Sequence, residues 1–444
     1  MSITKKIPTV SFLNILYHAG SILKNPLPFH QKNFARHGDS FLAKVAPGNE
    51  VIFTRDAGFA KHMLQKNHRN YIKSKLQTRD LARYIGNGLL TINGDTWLKQ
   101  RRMIQPAFHK KELITLLEGM ENTISKQLKD LPQNITLHVL PRMGNLAFNV
   151  VAQALFTYED KKGYIPKLQH ITEQAQRNLV KELRQPYKMW WFRLNGSISE
   201  MQDKLEGARK MLLEIINERR ESDKKQHDLL DMLLEARYDD GTCMSDKQLI
   251  DEILVLFVAG HETTANTLTF ALWLLAIHTD KQEKVLTEID ALDASADPLE
   301  KIKNLPYTMQ VLEEALRLYP PGYFSDRVNL DEDEFEGMHL KPKTQILISF
   351  YEIHRDPKFW DAAEAFQPER FETDKKKAYS DHYFPFGAGP RMCIGNNFAM
   401  YEMVLVLEQI FKTYTVSTEK KEIAINPLIT LKPHKAFLIF TPRA

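Results

Sequence analysis

Cysteine is nearly absent. Among 444 residues only Cys243 and Cys393 carry a thiol, which excludes a disulfide framework and fits a reducing compartment, taken to be the cytoplasm. No apolar run of about 18 residues occurs outside the candidate core helices. The first 25 residues, where Lys5 and Lys6 precede a segment broken by Pro8, Asn14, His18 and Gly20, read as neither signal peptide nor membrane anchor. Neither sign of charge dominates: 60 basic and 56 acidic residues leave a net +4, too little to point to nucleic acid. Lys224-Lys225, Lys375-Lys376-Lys377 and Lys420-Lys421 read as solvated surface. Length alone allows about three domains, but no Gly/Ser-rich or Pro-rich linker divides the chain, so one unit over 1–444 is expected. What remains is 43% hydrophobic and 26% charged with a mean hydropathy of -0.38, enough for a sizeable core in a soluble protein.

One stretch stands out against that background: Phe384-Pro385-Phe386-Gly387-Ala388-Gly389-Pro390-Arg391-Met392-Cys393-Ile394-Gly395. Its glycines permit conformations and close approaches that a side chain would block, and its prolines stiffen the loop around one cysteine. The apolar run Ala399 to Leu407 that follows reads as a buried helix. The sulfur is therefore expected near a helix N-terminus, where free N–H groups and the dipole favour a thiolate. A buried structural cysteine on a glycine loop is the plain alternative; a poised thiolate is a metal ligand or a nucleophile.

Phe386, Gly389, Arg391, Cys393 and Gly395 match, position for position, the haem-ligand loop of the cytochrome P450 family, which the chain resembles over most of its length. The resemblance implies a mainly α (α+β) fold with a long central helix, small β-sheets and haem b buried between helices. It makes Cys393 the axial iron ligand, whose electron donation favours O–O cleavage, and turns Arg391 toward a haem propionate. It is closest in type to the soluble bacterial members. No flavin or iron–sulfur cysteine pattern follows the loop, so electrons from NAD(P)H are expected through a separate ferredoxin and ferredoxin reductase, with O2 as co-substrate.

The rest of the chain reads as support. Residues 41–54 alternate around Pro47-Gly48-Asn49 as a hairpin, a helix runs from about Asp56 to Gln65, and 71–90 reads as a loop with short helical pieces over the substrate. A helix opens at Gly94, with Asp95 or Thr96 able to cap it. In it Trp97 and Arg101 share a face, either as a surface stack or, by the resemblance, as a grip on a haem propionate. Residues from about Lys111 to Ala236 read as successive helices. Ser245 to Gln248 is a capping-box start for the longest helix, reaching about His278 and apolar all round from Ile253 to Val258.

Inside that helix sits Ala259-Gly260-His261-Glu262-Thr263-Thr264, polar where burial is costly. It resembles the family's oxygen-activating segment. By that match Gly260 makes room for dioxygen, Thr263 organises its hydrogen bonds and Glu262 is the relay acid. Glu314 and Arg317, with Arg370 between them and the cysteine loop, resemble the family's buried Glu-Arg-Arg network; a helix-surface pair is the plain alternative for the first two. Arg327 matches a position that often pairs with a propionate, and His354 reads as a structural or haem-edge group. Gln345 to Ser349, Leu428 to Leu431 and Phe437 to Phe440 read as strands, the last two as a hairpin around Pro433-His434.

The expected reaction is monooxygenation. His261, the stretch Tyr323, Phe324 and Ser325, and the paired Trp190 and Trp191 are the candidate substrate contacts. Their polarity and ring faces favour a small polar substrate, and the chain is similar to members that demethylate 6-O-methyl-D-galactose with release of formaldehyde. Hydroxylation of a fatty acid or terpenoid is the alternative, distinguished by an apolar pocket. A non-catalytic haem-based sensor is the alternative from another class, and the Glu262-Thr263 pair argues against a peroxide-using enzyme.

Overall fold

The computed structural model describes residues 7–46, 48–157, 160, 162–293 and 295–443. Lys5, Lys6 and Pro47 of the expected turn lie outside them. The helices that position the site are α1 (Phe12–Lys24), α2 (Gly94–Ile104), α3 (Val139–Phe156), α4 (Tyr164–Arg184), α5 (Met189–Leu194), α6 (Ser197–Glu221), α7 (Asp246–Ile277), α8 (Pro306–Leu318) and α9 (Asn396–Thr413). The architecture is mainly α with small sheets, as expected. No helix of the described residues is long and apolar enough to cross a membrane.

Helix α7 is the axle. The Ser245 hydroxyl accepts from the Gln248 N–H at 3.3 Å and starts it. The reciprocal half of the expected capping box is missing, because the Gln248 side chain reaches instead to the Asn87 carbonyl and the Glu252 carboxylate, at 3.0 and 2.9 Å. Of its 32 residues 24 are buried. A run that is apolar all round has no solvent face to offer, so neighbours must enclose it. Phe148 of α3 stacks on Phe257 with ring centroids 4.9 Å apart, and Phe156 packs beside them.

Beside the helices a six-stranded sheet runs β1 (Thr9–Val10), β2 (Ser40–Ala46), β3 (Asn49–Thr54), then β9 (Gln345–Ser349), β6 (Phe324–Asn329) and β4 (Tyr71–Ile72). The hairpin of β2 and β3 is the expected one; β3 lies parallel to β9, with Ile52 opposite Ile346, and β6 crosses back with Arg327 opposite Ile346. Strand β4, inside the region read as loop, was not foreseen, and the helix expected from Asp56 continues through a widened turn to Lys66. Short pairs complete the set: β7 (Asp333–Phe335) with β8 (Met338–Leu340), and β5 (Leu137–His138) and β10 (Tyr414–Ser417) on either side of β13 (Phe437–Pro442).

The C-terminal hairpin differs from the sequence reading. Strand β11 (Ile425–Pro427) pairs with β12 (Leu431–Pro433), while β13 pairs elsewhere. Leu428 to Thr430 is therefore a turn, closed by the Leu428 N–H on the Thr430 carbonyl at 3.0 Å. These residues are apolar because the turn is pushed inward: Ile429 packs against a buried cluster of α4, α6 and α7.

Candidate active site

The glycine loop folds as a tight hook. The Cys393 N–H donates to the Phe386 carbonyl at 2.9 Å, the Gly387 N–H to Phe384 at 3.0 Å and the Met392 N–H to Gly389 at 3.0 Å. Phe386 itself packs half-buried against the main core. Gly389 has φ +69°, and a β carbon there would overlap the Leu64 carbonyl oxygen, so no other residue fits. Helix α9 starts at Asn396, three residues ahead of the expected apolar run, and the Gly395 N–H favours the thiolate form of Cys393.

Cys393 has accessible surface, yet burial pushes its thiol up, against the Gly395 N–H and the Arg101 guanidinium. That combination belongs to a side chain opening into an interior cleft. In the protein alone the balance goes to the neutral thiol, so the helix N-terminus by itself does not hold a thiolate. A bound cationic metal is the further force that would.

Around the cleft stand four cations, none bonded to a carboxylate among the described residues. Arg391 lies 4.2 Å over the Trp97 ring and donates to the Ile92 carbonyl at 3.3 Å. Arg327 donates to the Ser325 hydroxyl at 2.8 Å and the Asp326 carbonyl at 2.7 Å. Lys73 donates to the carbonyls of Leu89 and Leu90 at 2.6 and 2.8 Å. Arg101 donates to the Met392 carbonyl at 3.0 Å and to Gln105 at 3.2 Å. Desolvation lowers all four, Arg391 to about 10, and Lys73 falls well below its ordinary value because Arg391 and Arg327 add their repulsion.

Uncompensated buried cations are expensive, so this cluster is built for a ligand carrying carboxylates. Two corrections follow. Arg101 is not stacked on Trp97: the cation over Trp97 is Arg391, and Arg101 turns to the cysteine loop. Lys73 is the residue sequence reading missed, since a lone lysine in an irregular stretch carries no pattern. The cap of α2 also differs: Asn93 precedes it without a capping bond, and its amide bridges the Lys73 backbone instead.

On α7, Ala259 is exposed and Gly260 and Thr263 are half-exposed in an otherwise buried stretch. The Thr263 hydroxyl donates to the Ala259 carbonyl at 2.7 Å. Glu262 accepts from the Thr430 hydroxyl at 2.6 Å and pairs with Lys432 at 2.7 Å, so the inward turn of the C-terminal hairpin holds the acid.

Gly260 also has a packing role: a β carbon there would meet Val151 Cγ2 of α3 at 2.9 Å, so its bareness lets α3 and α7 approach. His261 is also corrected: it is two residues from both Ala259 and Thr263, about 200° round the helix. It is buried against Phe148, with Nδ1 on the Phe257 carbonyl at 2.6 Å, away from the cleft.

Behind the loop the Glu-Arg-Arg network is present. Glu314 takes Arg317 bidentately at 2.7 and 2.8 Å and the Gln367 N–H at 3.0 Å, and Arg370 stands 3.4 Å from it. Glu314 and Arg317 are fully buried, so a helix-surface pair is excluded. Arg317 also donates to the His354 carbonyl at 2.8 Å, and the His354 Nε2 accepts the Phe384 N–H at 2.7 Å. His354 is thus a structural link from the network to the cysteine loop, neutral because burial and the neighbouring Arg317 and Arg355 push its pKa far down.

The other substrate candidates are largely placed elsewhere. Trp190 and Trp191 lie exposed on α5. Tyr323 is buried and donates to the Leu428 carbonyl at 2.8 Å, Phe324 stands edge-on to it, and Ser325 is already taken by Arg327. Val255 and Val258, just before Ala259 on α7, belong to one buried apolar cluster with Leu81, Ile85, Ala175 and Leu179, against which Leu90 packs.

A haem fits these donors: an accessible thiol for the iron, buried cations for two propionates, and an aromatic wall at Trp97. A family model described as cytochrome P450 matches residues 7–440. Cyclooctat-9-en-7-ol 5-monooxygenase of Streptomyces melanosporofaciens is 30% identical over 89% of this chain and 86% of its own length. Human Cytochrome P450 4A11 is 31% identical over 74% of this chain and 68% of its own. Pentalenene oxygenase of Streptomyces avermitilis is 25% identical over 97% and 94%.

Proposed function

This chain belongs to the cytochrome P450 family, and from that premise we propose a haem-thiolate monooxygenase that hydroxylates a C–H bond of an apolar terpenoid. The enzyme is an oxidoreductase. Bound through Cys393, haem supplies the activation of O2 by two electrons and two protons, one oxygen atom entering the C–H bond and the other leaving as water. Arg391, Arg327 and Lys73 would hold the propionates, beside Trp97. Thr263 presents its hydroxyl on the open face, and Glu262, fixed by Thr430 and Lys432, is the acid beside it. Electrons come from NAD(P)H through separate redox proteins, a ferredoxin and its reductase.

The observation that supports the substrate class is the apolar cluster to which Val255 and Val258 of α7 belong, just before Ala259 in the chain. Of the named relatives, the monooxygenase of S. melanosporofaciens is named for a cyclic terpene alcohol, which supports the same class. O-demethylation of 6-O-methyl-D-galactose, by hydroxylation of the ether methyl to a hemiacetal that loses formaldehyde, has lost its contacts: His261, Tyr323 and Ser325 are engaged elsewhere and the two tryptophans face out. The test is a substrate-binding spectrum of the holoprotein with a cyclic terpene, a medium-chain fatty acid and the methylated sugar. A shift of the ferric haem to high spin with the terpene, followed by a hydroxylated product with redox partners, is expected. A shift with the sugar alone would overturn the apolar assignment.

A further inference from the structure

Where α7 ends, a cavity of about 410 Å³ opens between that helix, the end of α8 and residues 364–367. It is large enough for one small molecule. Ile277 on its wall stands 14 residues past Thr263, roughly 21 Å further along the helix. Four of the lining side chains are rings, those of Trp273, His278, Tyr319 and Phe366. Tyr319 stacks on Phe270 with centroids 4.2 Å apart and has Trp273 edge-on at 6.3 Å, while His278 leans on Phe366 at 5.2 Å. The loop wall hangs on the buried network behind the haem site: Arg317 donates to the carbonyls of Ala363 and Ala365 at 2.7 and 3.1 Å, and Glu314 accepts the Gln367 N–H at 3.0 Å. A cavity fixed in this way needs little ordering to take a ligand.

Both charged side chains on the wall are already answered, Lys281 by Glu369 at 3.0 Å and Asp280 at 3.4 Å, and Glu364 by Arg355 at 3.2 Å. A charged ligand would give up its hydration without gaining a free partner. The Trp273 indole N–H is spent on the Lys420 carbonyl at 3.0 Å. Two neutral polar groups are left. His278 donates from Nδ1 to the Leu274 carbonyl at 2.8 Å, which fixes the proton there and leaves the Nε2 lone pair as an acceptor. Neither that nitrogen nor the Tyr319 hydroxyl has a partner among the described residues. We propose that this cavity binds one small neutral aromatic molecule carrying a hydroxyl or N–H donor, its ring packed among Trp273, Tyr319 and Phe366 and its donor on His278 Nε2. A saturated ligand of the same size would fill the volume but lose the edge-to-face and offset ring contacts.

The experiment uses the haem-loaded full chain with 4-phenylimidazole on the iron, which closes the haem cleft and is followed by the Soret band. Calorimetric titration with 2-naphthol is expected to give one site per chain. 2-Methoxynaphthalene, which lacks the donor, should bind about 5-fold more weakly, and so should 2-naphthol to His278→Phe. Decahydro-2-naphthol should bind more weakly as well, and naphthalene-2-sulfonate not at all. Ile277→Trp, which fills the cavity from α7, should abolish 2-naphthol binding with the carbon monoxide spectrum unchanged, so that folding is controlled. Absence of 2-naphthol binding, binding that 4-phenylimidazole displaces, full affinity in either variant, or equal affinity for the sulfonate or the saturated alcohol would each overturn the proposal.

Discussion

Glu314→Gln removes one charge from the most deeply buried polar network in the site's support. Glu314 answers two guanidinium groups, Arg317 through two bonds at 2.7 and 2.8 Å and Arg370 at 3.4 Å, and also accepts the Gln367 N–H. Glutamine keeps one acceptor oxygen and turns an NH2 toward groups that only donate. Two buried cations would then have no counter-charge, a loss of about 3–5 kcal/mol. Against a total stability on the order of 5–15 kcal/mol, that is a large fraction. The damage also has a route to the cleft: Arg317 to the His354 carbonyl, His354 Nε2 to the Phe384 N–H, and Phe384 to the start of the cysteine hook. Urea unfolding of the apoprotein and haem content after expression are the two assays. A lower urea midpoint together with substoichiometric haem is expected. Lys284→Ala, which breaks a partly exposed pair with Glu369 at 2.7 Å, is the control and should cost no more than about 1 kcal/mol. If Glu314→Gln keeps full haem content and unfolds within about 1 kcal/mol of the parent, the network is not what holds the loop.

Three further outcomes follow from the same geometry. Lys73→Met relieves a cationic cluster that lacks a counter-charge, so it should raise the unfolding midpoint of the apoprotein while speeding haem transfer to an acceptor protein; a change in the same direction in both assays would refute the propionate role. Gly389→Ala forces a side chain into the Leu64 carbonyl at φ +69° and should abolish haem incorporation, whereas wild-type haem content would show that the hook tolerates displacement. Glu352 is raised to about 7 by burial, against the opposing pull of Arg355 and Arg55. Its folded form therefore holds a proton that the unfolded chain releases near pH 4.5, and its ionisation weakens the fold as pH rises between the two. Glu352→Gln should accordingly gain stability relative to the parent, absent below about pH 4.5 and complete above about pH 7, on the order of 3 kcal/mol. A gain independent of pH in urea titrations would refute it.

Much of the site was legible before any coordinates, and the reason is locality. The cysteine hook needs glycine and proline at fixed offsets, and the start of α7 needs Ser245; each is a statement about neighbours in the chain. Glu314 and Arg317 are one helical turn apart, so the sequence alone placed them on one face. Even the position of His261 on the far side of α7 is contained in the helical period, counted from Ala259 and Thr263.

Only the tertiary structure decided what each face meets. Periodicity tells which residues point together and never what they point at, so Arg101 turned from Trp97 to the cysteine loop and Arg391, nearly 300 residues away along the chain, took its place over the ring. Lys73 became a site residue because β4 and the 86–92 loop fold it under two carbonyls beside Arg391. Apolar Leu428 and Ile429 looked like strand and are an inward turn, since burial favours the same residue types in either role. Gly260 answers to Val151, in a helix more than a hundred residues earlier. Charge compensation and close packing join partners distant in sequence, and those pairings are fixed only when the helices come together.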